Sequence, residues 1–191
     1  MYILIFKRLF DIFFSIILIF FLSPLFLMIA TSILLFDFGP ILFFSDRVGI
    51  NNHIFRMPKF RTMSTKTPVV ATHILDNSEA YISRLGKILR KTSLDEIPQI
   101  FSILMGSMSF VGPRPALYNQ LDLIQLRLER GVHKIRPGLT GLAQISGRDS
   151  LSLEEKADFD AIYSKNISFI NDCDILFKTV FYALTSKNIL H

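Results

Sequence analysis

The run IFFSIILIFFLSPLFLMIATSILLF, residues 12–36, carries no charged side chain. As one straight helix it would reach roughly 37 Å, against a hydrocarbon core of about 30 Å. That length predicts a membrane helix. A cleaved signal peptide has a shorter apolar region, about 7–15 residues. Ser23-Pro24 falls near the middle of the run. Proline lacks an N–H, and its ring collides with the carbonyl four residues earlier, here that of Phe20, so a kink is expected. In lipid the freed carbonyl needs a donor, and the Ser23 hydroxyl is placed to supply it. Both flanks are basic: Lys7 and Arg8 before, Arg47, Arg56, Lys59 and Arg61 after. Positive charge favours the cytoplasmic side. A re-entrant hairpin bent at Ser23-Pro24 puts both flanks there, whereas a straight span puts one of them outside. The residues alone leave the two open.

Outward from this segment the chain turns polar. Its 191 residues suffice for one ordinary domain. The net charge of +5 fits an anionic membrane surface or phosphate-bearing ligands. Cys173 is the single cysteine, so no intrachain disulfide, CxxC pair or zinc knuckle is possible. The four histidines, His53, His73, His133 and His191, are too scattered for a local metal motif. These absences suit a reducing cytoplasmic setting. There is no GxGxxG or Walker lysine motif. The basic residues are thinly spread and no nucleic-acid module is recognisable, so no nucleic-acid partner is expected.

The pattern predicts a mainly α chain with a small β-hairpin, an α+β fold. Residues 41–49 and 53–63 are rich in aromatic and β-branched residues and flank Gly-Ile-Asn-Asn, which reads as a strand pair. Residues 64–80 read as a polar loop. Ser83–Lys91 reads as a basic amphipathic helix, with Leu85, Ile88 and Leu89 on one face and Arg84, Lys87 and Lys91 on another. Such a helix lies on a membrane surface or covers a soluble core. Further helices are predicted from Leu94, over Ala116–Arg130, from Ser152 and from Phe169. The glycine-rich stretch 135–149 reads as loop. In the last helix Ile170, Cys173, Phe177, Val180, Phe181 and Leu184 form an apolar stripe, read as core packing.

LRKTSLDEIPQIF, residues 89–101, sets two acids side by side. Ser93 and Glu96 have the spacing of a capping box, and Asp95 in a first turn would favour the helix dipole. A helix start is therefore one reading and a working site the other. Successive helical residues point about 100° apart, so two functional acids there would hold different roles. Phosphate-binding groups are plentiful nearby in sequence motifs: Lys59 and Arg61 in KFR, Arg114 in GPRP, Arg136 in IRPG and Arg148 in SGRD. Arginine presents a planar fork suited to phosphate oxygens.

KFRTM, LRKTSLDEIPQ, MSFVGPRP and RPGLTGLAQISGR, in that order behind one hydrophobic segment, resemble the bacterial sugar transferases, the monotopic polyprenyl-phosphate phosphoglycosyl transferases. The similarity is strongest to the small members, including those that start N-linked glycan assembly with a bacillosamine phosphate. It runs from Lys7 nearly to the C-terminus and includes Asp160, Tyr163, Asn166, Ser168, Asp172 and Thr179. The resemblance implies a re-entrant helix broken at Ser23-Pro24 over residues 1–38. It also implies a catalytic domain over 39–191 on the cytoplasmic face of the bacterial inner membrane, sunk into the leaflet by amphipathic helices. Asp95 would be the nucleophile and a Mg²⁺ ligand, Glu96 its assistant, and Arg114 and Arg148 would hold phosphate or nucleotide groups. The implied reaction moves a sugar phosphate from a UDP-sugar to a polyprenyl phosphate, such as undecaprenyl phosphate, through a covalent aspartyl intermediate, and releases UMP. The chain departs from the family at Ser107, where an acid is common, and at Ser146, where asparagine is frequent. A membrane-attached phosphohydrolase using the same acids, and a non-catalytic scaffold, are the competing functions.

Overall fold

In the computed structural model, residues 5–64, 67, 81–147 and 150–185 are described. Helix α1 runs Lys7–Phe36 as one element with Pro24 inside it. Its 30 residues give about 45 Å of length, and it is the one described helix long and apolar enough to cross a membrane. The expected repair at Pro24 is present: the Ser23 hydroxyl donates to the Phe20 carbonyl at 2.8 Å. That carbonyl is the one whose partner proline removes.

Both ends of α1 rest on the remainder of the chain. At the first end, Lys7 Nζ meets Asp172 at 2.7 Å, and Asp11 accepts from Ser109 Oγ and the Phe110 N–H. At the other, Ile29, Ala30 and Ile33 pack with Phe60 and Leu89. Ile33 is fully buried, which stabilises by about 1.5–3 kcal/mol. The outward face is apolar and bare, with Phe20 and Phe21 more than 70% exposed.

Strands β1 (Leu42–Val48) and β2 (Ile54–Phe60) form the expected antiparallel hairpin, with Asp46 opposite Arg56. Asn51 and Asn52 take positive φ in the turn, a conformation asparagine tolerates better than most residues. The predicted loop over 64–80 lies, apart from residues 64 and 67, outside the described residues.

Helix α2 (Arg84–Lys91) is capped by Ser83, whose Oγ accepts from the Gly86 N–H and donates to Asp37. A Cβ at Gly86 would collide with the Thr62 carbonyl, so glycine lets α2 lie directly on the end of β2. Of its predicted apolar face, Leu89 is buried and Ile88 is exposed.

A short 3₁₀ turn, Leu94–Glu96, precedes α3 (Gln99–Met105). The predicted helix over Ala116–Arg130 is shorter, with α4 at Leu121–Glu129. Ala116 and Leu117 instead extend along β1, where Val48 N–H donates to Ala116 O. The glycine-rich stretch read as loop holds β4 (Gly138–Thr140) and the short α5 (Leu142–Ser146). Strand β4 pairs in parallel with β3 (Ser109–Val111), giving a second small sheet that the sequence reading lacks. Three-residue strands are too short to show an alternating pattern.

Helices α6 (Leu153–Lys165) and α7 (Phe169–Thr185) close the chain. Ser152 and Glu155 form a full capping box at the start of α6. The core-packing reading of the α7 stripe is overturned. Ile170, Phe177, Val180 and Phe181 are all exposed, Ile170 by 81%; the side chain of Leu184 lies outside the described residues. The buried stripe is Asp172 and Ile175, with Leu176 and Thr179 beside them. Two of those positions are polar, so hydrophobic periodicity misses them. Asp172 is satisfied by Lys7 and by the Tyr163 hydroxyl at 2.7 Å, and Thr179 lies 2.7 Å from Thr140.

Candidate active site

The acid pair is placed by a sharp reversal after α2. Ser93 sits in the left-handed region at φ 55°, which costs a non-glycine residue about 1–2 kcal/mol. Its side chain caps nothing. The expected capping box is therefore absent, and the physical reason is that Ser93 ends α2 instead of starting α3. Its N–H donates back to Arg90 O. Glu96 is thereby released from a helix-start role and turns to cations.

Lys59 Nζ donates to Glu96 Oε1 at 2.8 Å, and Arg114 Nη2 donates to the same oxygen at 2.9 Å. Lys59, on β2, also stands 3.8 Å from Asp95 Oδ2. Glu96 thus holds both cations, while no side chain among the described residues donates a hydrogen bond to the buried Asp95. Their acidities separate accordingly. Burial raises the Asp95 carboxyl, partly offset by Lys59, raised again by Glu96 and lowered by Arg90. Burial would also raise Glu96, but Arg114 and Lys59 outweigh it and hold Glu96 well below the usual carboxylate range. One acid is a fixed anion bound to cations. The other is a buried carboxylate to which no side chain among the described residues donates a hydrogen bond.

Arg114 is held from behind. Arg127, on α4, donates from Nη1 to the Arg114 carbonyl at 2.9 Å. Its Nε and Nη2 clasp Asp160 Oδ2 at 2.9 and 2.6 Å. The GPRP segment is further fixed through its backbone: Gly112 N–H donates to Thr140 O, and Pro113 O accepts from the Gly138 N–H. A Cβ on Gly138 would collide with the Gly112 nitrogen. The two motifs therefore meet backbone to backbone, which explains their glycines.

Lys59 and Arg114 are brought to the acid pair. Arg61 stands just past β2, with a buried Nε that has no protein acceptor among the described residues. Arg136 is not brought there: its Nε donates to Gly106 O at 2.9 Å, beyond the opposite end of α3. Arg148 lies outside the described residues. Arg47, named in the sequence only as a basic flank of the apolar run, and Arg90 and Arg127 were not expected at the site. Arg47, held by Ser45 and the Pro115 carbonyl, lies close enough to interact with Glu96 and Arg114. Burial first, then Arg114, lowers its pKa to about 10. Arg90 donates to Thr62 Oγ1 and acts on Asp95. In sequence these residues look like ordinary surface arginines, and only the Ser93 reversal and the α4–α6 packing bring them in.

A divalent ion fits this arrangement through one protein ligand. No cluster of three or more His, Cys, Asp or Glu exists among the described residues. Mg²⁺ commonly takes one or two carboxylates and completes its shell with phosphate oxygens and water. The Asp95 carboxylate, untied by side-chain donors, suits that part.

The bacterial sugar transferase family model matches residues 2–186. A UDP-glucose:undecaprenyl-phosphate glucose-1-phosphate transferase of Klebsiella pneumoniae is 37% identical over 97% of this chain and 41% of its own length. The exopolysaccharide production protein ExoY of Sinorhizobium fredii is 38% identical over 91% of this chain and 83% of its own. A UDP-N-acetylgalactosamine-undecaprenyl-phosphate N-acetylgalactosaminephosphotransferase of Aeromonas hydrophila is 36% identical over 94% of this chain and 44% of its own. The chain thus spans less than half the length of two of these relatives and most of the third. It belongs to the bacterial sugar transferase family.

Proposed function

We propose that this bacterial sugar transferase moves a sugar phosphate from a UDP-sugar to a polyprenyl phosphate such as undecaprenyl phosphate, as a phosphoglycosyl transferase. The product is a polyprenyl-diphosphate sugar, and UMP is released. Relatives named for undecaprenyl-phosphate acceptors support the acceptor class, and the UDP-sugars in two of those names support the donor.

The observation that carries the chemistry is the split between the two acids. An Asp95 oxygen attacks the β-phosphorus of the donor, the bond from that phosphorus to the bridging oxygen breaks, and UMP leaves with the electron pair. The sugar phosphate then rests on Asp95. An oxygen of the acceptor phosphate attacks the same phosphorus, the Asp95–phosphorus bond breaks, and the carboxylate is regenerated. Covalent catalysis by a carboxylate divides one difficult transfer into two easier ones. Glu96 holds Lys59 and Arg114 where phosphate charge accumulates. Asp95 would be the protein ligand of a Mg²⁺ ion, which would supply charge neutralisation for the diphosphate.

The same reading makes α1 re-entrant, with both ends on the cytoplasmic side. It is supported by the anchoring of Lys7 and Asp11 at one end and Ile29–Ile33 at the other on the same body. The exposed apolar stripe of α7 supports burial of that helix in the leaflet. The test is mass spectrometry of the wild-type protein mixed with a UDP-sugar alone, where a sugar-phosphate adduct on Asp95 is expected. Product formed only with both substrates present, and no trapped adduct, would remove the two-step scheme. Release of free sugar phosphate would indicate a hydrolase instead.

A further inference from the structure

Two arginines converge where α3 ends. Arg8 donates to the carbonyls of Ile103 and Leu104 at 2.6 and 2.7 Å. Arg136 donates from Nε to the carbonyl of Gly106. The Arg8 guanidinium packs on Gly106 so closely that a Cβ there would lie 3.1 Å from Nη2. The two guanidiniums are near enough to repel one another. Carbonyls satisfy their hydrogen bonds but carry no net charge to offset two cations. Asp11, the acid whose charge reaches Arg8, commits an oxygen to Ser109 and Phe110. Ser107, the next residue after Gly106, is neutral. The Nη atoms of Arg136 have no protein acceptor among the described residues.

The surroundings point to lipid. Leu9, Phe13 and Ile16 lie on one helical stripe next to Arg8 and are 57%, 61% and 56% exposed. Met105, beside the carbonyls, is 74% exposed. A cationic pair bordered by bare apolar side chains belongs at the level of headgroups, where arginine keeps its charge in the polar layer.

We propose that Arg8 and Arg136 hold the phosphate of a glycerophospholipid headgroup at the C-terminal end of α3. The phosphodiester bridges the two guanidiniums by charge-assisted hydrogen bonds and removes their mutual repulsion. The acyl chains lie along Met105 and the Leu9–Ile16 stripe. This site is separate from the acid pair and independent of the transfer reaction.

The test uses the full chain in dodecyl maltoside, titrated with dihexanoyl phosphatidylglycerol, phosphate-free dihexanoylglycerol or inorganic phosphate. Hydrogen–deuterium exchange is followed on residues 103–108. Saturable protection by phosphatidylglycerol alone is expected, retained in Asp95→Asn. Arg136→Gln is expected to weaken it about tenfold or more. Because that variant also removes a helix cap, Ser107→Asp is the second probe: it brings a carboxylate to the half-exposed turn and competes with the phosphate. Circular dichroism checks that both variants fold. Equal protection by dihexanoylglycerol, protection confined to residues 93–97, or unchanged affinity in both variants would overturn the site. Inorganic phosphate binding as tightly as phosphatidylglycerol would overturn the lipid assignment.

Discussion

At the N-terminal side of α3, Glu96 meets Lys59 and Arg114 at 2.8 and 2.9 Å, whereas at its C-terminal side Arg8 and Arg136 meet only backbone carbonyls. Helix polarity favours anions at the first end and cations at the second, so each end has the sign that the backbone prefers. The difference is in how the charge is balanced. Near the acids, every cation in contact has a carboxylate, and Asp95 is left with a face that no side-chain donor occupies. At the far end no carboxylate among the described residues forms an ion pair with either arginine, although the charge of Asp11 reaches Arg8. In the proposed reaction, the first end surrounds a charge that changes. At the second, the proposed lipid phosphate supplies the balancing charge.

The strongest way to break this contrast is Asp95→Asn. UMP release is expected to fall about ten-thousandfold or more. Thermal stability should not fall, because burial already disfavours the charged form of Asp95. Assay of UMP beside a melting curve checks both halves.

Arg127→Ala comes next. It strands the buried Asp160 and removes the donor behind Arg114. A loss of about 3–5 kcal/mol is expected for breaking such a pair, read from the denaturant midpoint. Arg127→Lys keeps a charge and should recover part of it, with donor KM raised more than kcat is lowered.

A smaller effect concerns pH. The proposed attack needs Asp95 ionised, and its carboxyl is raised above the ordinary value. Followed by carboxyl NMR in the metal-free protein, the titration limb of Asp95 should therefore lie above the usual aspartate value of about 3.9. Lys59 lowers the Asp95 carboxyl, so Lys59→Met should move that limb to still higher pH; a limb that moves down would contradict the assignment. Glu96 acts with opposite sign. Its folded carboxyl is depressed, so its stabilisation is complete above about 4.3 and is lost only as pH falls further, through the depressed folded value.

The smallest expected change is at Ser23. Ser23→Ala leaves the Phe20 carbonyl without its donor and should destabilise the protein by about 1 kcal/mol in a bilayer. Unfolding in bicelles measures it.

Features that depend on local chemistry were legible in the sequence. The Ser23 repair at Pro24 follows from the valence of one carbonyl. The β1–β2 hairpin follows from its residue types and the Asn-Asn turn. The acids and their two cations were legible as motifs. What was hidden depends on contacts across the chain. Ser93 in the left-handed region cancels the capping box that its spacing suggests. Arg136 looks like the other motif arginines until β4 carries it to the far end of α3. In α7 the buried side is marked by Asp172 and Thr179, polar groups whose partners Lys7, Tyr163 and Thr140 lie on other elements. The apolar stripe opposite is the exposed one.

The Lys7–Asp172 contact also sets an order of assembly. The two residues are 165 positions apart. At translation rates of about 5–20 residues per second, the lysine leaves the ribosome roughly 8–33 s before its partner is made. Throughout that interval the ammonium must stay in water at the bilayer surface. The N-terminal end of α1 is thus locked late, and a nascent chain cut short before α7 keeps the contacts of Asp11 and of Ile29–Ile33 but leaves the Lys7 ammonium without its carboxylate.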